Sequence, residues 1–175
     1  MQLPPRYTEI ELPHWRCLPA HVAAADQARL KPVVASVPAR LGLQEVPDSA
    51  AFRFGIDLFN SGFFWEAHEV WEPVWMALPP NSAERTACRS LIQGANACLK
   101  LRYGWNNAFS KLVREVERLV RDATLQDACV AGIALDQWAV AFRAFADRLE
   151  AGQEVAMGFA PLDVAKFPFL LMTPR

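Results

Sequence analysis

The residues with the types and spacing for chemistry fall in one stretch, 58–78. They are densest in Gly62-Phe63-Phe64-Trp65-Glu66-Ala67-His68-Glu69-Val70-Trp71-Glu72-Pro73-Val74-Trp75. Wound as a helix at about 100° per residue, this stretch has two flanks. Ala67, Val70, Trp71, Val74 and Leu78 make an apolar stripe suited to a core. Trp65, His68, Glu69, Glu72 and Met76 fall on the other flank. His68 and Glu72 are four apart and Glu69 and Glu72 three apart, so all three are neighbours on one helix surface. The one side chain that titrates near neutrality thus stands beside two carboxylates. A helical His and Glu at this spacing can supply two ligands to a metal. A third would have to come from Glu69, Asp57, His14 or His21, and spacing places none of them. The motif also resembles the zincin signature superficially, but Glu72 stands where the second histidine belongs. The structural reading has His68 donate to Glu72 or to a backbone carbonyl, locking the helix against its neighbours with Gln93 nearby. The candidate cluster is Trp65, Glu66, His68, Glu69, Glu72 and Gln93. Its three carboxylates repel one another unless something offsets them. Arg53, Arg89 and Lys100 are the candidate cations.

These residues need helices to hold them. A first helix follows the N-cap candidate Asp48 and runs through Phe52, Ile56 and Phe59 to Asn60. Asn60-Ser61-Gly62 ends it, with Gly62 suited to a left-handed position. The central helix returns antiparallel, making a helical hairpin. Pro73 inside it removes the hydrogen bond to the Glu69 carbonyl and predicts a kink or break. Pro79-Pro80-Asn81 stops it. Ser82 caps a third helix to about Arg102, with Ala87, Cys88, Leu91, Ile92, Ala95, Cys98 and Leu99 inward. Gln93, Asn96 and Lys100 lie on its other side. After the turn Tyr103-Gly104-Trp105-Asn106-Asn107, a fourth helix spans about 108–121. Its outer stripe of Lys111, Arg114, Arg118 and Arg121 is interleaved with Glu115 and Glu117 and reads as a solvated face. Residues 135–149 make a fifth helix, with Leu135, Trp138, Phe142, Phe145 and Leu149 on one face.

The pattern Phe59-Asn60-x-Gly62-x-Phe64-x-Glu66-Ala67-His68-Glu69-x-x-Glu72-x-x-Trp75, followed by Ile92-Gln93-Gly94, Lys100 and Gly104, resembles the family catalogued as domain of unknown function 309. The resemblance covers residues 51–119 and implies a small all-helical fold. It carries no established activity to transfer. The family shows a second glycine before the alanine that follows the Gly104 region, and Asn107 replaces it here. Gly62-x-Phe64-x-x-Ala67 and Gly104-x-x-x-Ala108 also hint at internal repetition: a glycine turn, then a small residue early in the next helix.

The expected fold is therefore all-α: a compact bundle of about five helices built from two stacked helical hairpins. An extended Pro-rich N-terminal arm covers 1–47, the bundle 48–152, and a C-terminal tail packed on the bundle 153–175. Within the arm, short helices are read over 21–31 and 33–40. The 175 residues are 53% hydrophobic and 21% charged, with six Trp and eleven Phe, so the core is aromatic-rich. A net charge of −1 gives no global reason to bind nucleic acid or an anionic membrane. No apolar run reaches the roughly 18 residues of a membrane span, and the N-terminus lacks an apolar signal core. Cys17, Cys88, Cys98 and Cys129 show no C-x-x-C spacing and read as reduced thiols of a cytoplasmic protein. With three histidines and no closed Cys/His set, no structural metal is expected, and no cofactor fingerprint, phosphate loop or nucleophile elbow occurs.

Two function classes follow. The first is a non-catalytic binding or interaction module for a small molecule or protein, its His/Glu cluster mainly structural. The alternative is a hydrolase-like enzyme, or a metal- or ligand-binding protein, using His68, Glu69 and Glu72. A homo-oligomer is compatible with both. Where the His68 ring points separates them: into packed protein, or into a cavity.

Overall fold

The computed structural model describes residues 5–13, 24–151 and 167–173. His14, Trp15, Cys17 and His21 lie outside them. Among the described residues the order is α1 (Ala24–Ala35), a 3₁₀ turn (Leu43–Asp48), α2 (Ala50–Asn60), α3 (Phe64–Ala77), α4 (Ala83–Arg102), α5 (Asn106–Ala123), a hairpin of β1 (Cys129–Val130) and β2 (Ile133–Ala134), and α6 (Leu135–Glu150). The all-α expectation is met, and α2 to α6 are the five expected helices. Where two short helices were expected across 21–40, α1 runs as one helix through Pro32 to Ala35. Ser49, not Asp48, caps α2, its side chain accepting the Phe52 amide. Asp48 instead pairs with Arg53 at 2.7 Å. No break occurs at Pro73: α3 continues through it to Ala77, packed against α2 on one side and α4 on the other.

Two antiparallel hairpins, α2–α3 and α4–α5, stack through α3 and α4, and α6 packs on α5. The two hairpin turns share one hydrogen-bond scheme at an offset of 42 residues. Phe63 N donates to Leu58 O at 2.8 Å and Trp105 N to Lys100 O at 3.0 Å; Gly62 N donates to Phe59 O and Gly104 N to Leu101 O, both at 2.9 Å. This is the Schellman pattern, and it needs the left-handed φ of Gly62 (81°) and Gly104 (72°). The repeat hinted at in the sequence is therefore a repeat of the turn. Its small residues do not correspond: at this offset Ala67 matches Phe109, and Ala108 matches Glu66.

The core is aromatic. Trp71 is fully buried, and its indole N–H donates to Phe52 O at 3.1 Å. A Cβ at Gly55 would stand 2.1 Å from the Trp71 Nε1 atom, so glycine there lets α2 and α3 close around the indole. Phe59 meets the rings of Phe64, Trp71, Trp138 and Phe167. At Gly94 a Cβ would stand 2.8 Å from the Trp138 ring, so α4 approaches α6 there.

Both terminal segments are tied to α2. Asp57, 0% exposed, accepts from Tyr7 N (2.8 Å), Thr8 N (3.0 Å) and Thr8 Oγ1 (2.7 Å), and pairs with Arg6 Nε at 3.1 Å. Asn60 forms a two-way bond with the backbone of Leu170: its Nδ2 donates to Leu170 O and its Oδ1 accepts from Leu170 N, both at 2.8 Å. A buried amide thus replaces a backbone partner. Tyr7 Oη accepts from Met172 N at 3.1 Å, joining the two terminal segments.

Candidate functional site

α3 carries the candidate cluster, and its packing divides the cluster among three environments. Glu66 faces inward from the first turn and is 1% exposed. Phe64, on the same turn, has the Arg102 guanidinium over its ring at 4.5 Å. His68 turns toward α4, where its Nδ1 lies 2.9 Å from Asn96 Oδ1. An amide oxygen only accepts, so Nδ1 donates and Nε2 is left as the basic nitrogen of the neutral ring. Trp65 and Glu69 turn the other way, toward α1, and both are half-buried. Glu72 is exposed. The helix therefore spreads the cluster around its surface instead of converging it on a point.

This overturns the expected His68–Glu72 bond: the imidazole is taken by Asn96, and Glu72 is exposed. Gln93 is half-buried on α4 and makes no hydrogen bond among the described residues. The cations expected to offset the carboxylates are used elsewhere: Arg53 by Asp48, Arg89 by Glu115 at 3.5 Å, and Lys100 over the Trp105 ring at 4.7 Å. Asp57, a candidate third metal ligand, has its carboxylate filled by Arg6, Tyr7 and Thr8. Among the described residues no group of three or more His, Cys, Asp or Glu side chains is placed to hold a metal ion. Asn96 is the member that sequence reasoning missed as a partner. It was legible as an outward residue of the third helix, but not as the residue facing His68, since that depends on how α3 and α4 are rotated against each other.

The side chains that turned toward α1 line a groove of about 410 Å³. Leu30, Val34 and Ala35 form one wall, Trp65 the other, and Lys31 and Glu69 put one charge of each sign at its edge. Burial raises the Glu69 carboxyl above its ordinary value; the adjacent His68 opposes the shift and Glu72 adds to it. The groove can thus take an apolar body and offer it a carboxyl that gives up its proton less readily than a surface one. Cys88 and Cys98 are sealed in α4, and burial pushes both thiols far from reactivity.

An α-helical protein of stacked hairpins, with a mixed apolar and ionic groove against its central helix, is the class that this geometry defines. Residues 52–112 match the model of the family described as Domain of unknown function (DUF309), and that segment bears out the resemblance read from the sequence. The match spans α2 to α4 and the start of α5, so all six cluster residues lie inside it and the α1 wall of the groove lies outside. No curated protein and no solved structure matches the chain. No helix of the described residues is long and apolar enough to cross a membrane.

Proposed function

We propose that the protein is a non-catalytic helical binding module whose ligand seat is the groove between α1 and α3. The carrying observation is the parting of His68 from Glu69: Asn96 holds the imidazole at the α3–α4 contact, while Trp65 and Glu69 line the groove. A catalytic set needs its acid, base and substrate within hydrogen-bond reach, and no such convergence supports that role here. The groove volume is in the range of small-molecule pockets, with apolar walls and a few polar groups at the rim. It suits an apolar ring lying against Trp65 with a hydrogen-bond donor or cation toward Glu69. The buried thiols fit a cytoplasmic location.

One observation favours the alternative of an acid–base enzyme: a carboxyl raised by burial is what a general acid requires. Titration with indole and with tryptamine, followed by the indole N–H resonances of the six tryptophans, separates the readings. The expected result is a shift at Trp65, stronger with tryptamine, lost in Trp65→Ala, weakened in Glu69→Gln and unchanged in His68→Ala. Loss of binding in His68→Ala, or turnover of either probe, would replace this reading with the catalytic one.

A further inference from the structure

We propose that the outer face of α6 is the contact through which two copies of this chain pair across a two-fold axis. Between α5 and α6 lies a second groove, of about 490 Å³, with Val120, Ala139, Val140 and Ala144 among its lining residues. Val140 is 71% exposed, among the most exposed large apolar side chains described. In the hairpin stack every helix from α2 to α5 has an antiparallel mate; α6 packs on α5 but has none on its outer face among the described residues.

The charges select a second copy as the occupant. Asp136 and Arg143 both line this groove, seven residues and hence two turns apart, on one flank of α6. A two-fold axis crossing α6 between Ala139 and Val140 sets two copies antiparallel, and the same flank of each then meets the other. Asp136 of one copy comes opposite Arg143 of the other, twice, with the two Val140 side chains between. Asp136 makes no ion pair among the described residues. Arg143 already pairs with Asp147 at 2.6 Å and reaches Glu117 at 4.0 Å and Glu150 at 3.9 Å, so it is held along this face with carboxylates to spare. The small side chains of Ala139 and Ala144 let the helices approach. A helix of 16 residues is about 24 Å long, so the buried area is modest and the pairing is a reversible equilibrium.

Sedimentation of the full chain over a concentration series, at low and high salt, tests this. The expected result is a monomer–dimer equilibrium weakened by salt. Val140→Glu, at an exposed site that leaves the thermal melt unchanged, shifts it to monomer. Asp136→Arg and Arg143→Glu each set like charges opposite one another and weaken self-association at least about tenfold. Mixing those two variants restores association, because every pair across the axis is then Arg with Asp or Arg with Glu. A monomer at all concentrations overturns the proposal. So does a dimer indifferent to Val140→Glu, or one whose two charge variants fail to rescue each other when mixed.

Discussion

At Trp71 one side chain does two jobs. Its indole fills the space that Gly55 opens between α2 and α3, and its buried N–H donates to the Phe52 carbonyl. Trp71→Ala should cost about 3–5 kcal/mol from lost packing and cavity formation. Denaturant unfolding reads this; a loss under about 1 kcal/mol would refute the packing account. Trp71 was legible because burial on a helix follows a period of 3.6. The polar flank was not, because periodicity says which residues face away from the core and nothing about what they face. Two substitutions around His68, one on α4 and one on α3, should behave differently. Asn96→Ala removes the partner of a half-buried His68 and should cost about 1–2 kcal/mol. Glu72→Gln, at an exposed side chain, should stay within about 0.5 kcal/mol. Comparable losses in both would mean that His68 rests on Glu72 after all. For Glu69 the sign follows from its raised carboxyl. The folded protein holds that proton at pH values where the unfolded chain, near 4.5, has lost it. Ionised Glu69 therefore weakens the fold at neutral pH, and the weakening fades as pH falls through the raised value toward 4.5. Glu69→Gln should melt higher than wild type at pH 7, with a gain that shrinks on acidification; a gain that is flat with pH would contradict the burial account.

Among the elements, the hairpin turns decide the stacking. Helix ends at Asn60 and Arg102 were readable from Gly62 and Gly104, since a Schellman turn needs a residue at positive φ and glycine takes it without strain. The β1–β2 hairpin was not readable. Its turn is Ala131-Gly132, both at positive φ, and alanine at 54° gives no turn signal. The ladder is two residues long and is braced by a bridge from Ile133 to Met172, more than thirty residues away. Asn60 shows the same limit. It looked like part of a helix-ending turn, yet its amide holds the Leu170 backbone 110 residues along the chain. Asn60→Ala leaves two buried backbone groups unpaired and should cost about 2–4 kcal/mol. The loss should be local first: hydrogen exchange at the Leu170 amide should speed up before that of the α4 amides. Uniform acceleration across the chain would show that the C-terminal segment is not a separate unit.

On the scale of the molecule, α2 is the strut to which the ends of the chain are fastened, and Asp57 is the costliest of its fixings. A carboxylate at 0% exposure is stable only while it is paired and hydrogen-bonded. Its partners are one guanidinium, two amides and one hydroxyl, all within residues 6–8. The sequence offered Asp57 as a metal ligand because a lone helical aspartate looks the same whether its mate is an ion or an N-terminal segment about fifty residues away. The dependence runs both ways, and it can be measured as a coupling. Removing residues 1–13 strips Asp57 of its partners among the described residues and should cost about 3–5 kcal/mol. In the full-length chain Asp57→Leu should cost a similar amount, because the Tyr7 and Thr8 amides lose their acceptor and Arg6 its counter-charge. In the shortened chain the same substitution should be neutral or stabilising, since it removes an uncompensated buried charge. The four melts form a double-mutant cycle with a coupling of several kcal/mol. Near-zero coupling, with the two losses simply adding, would mean that the N-terminal segment stabilises the bundle by contact alone and that Asp57 is not what holds it.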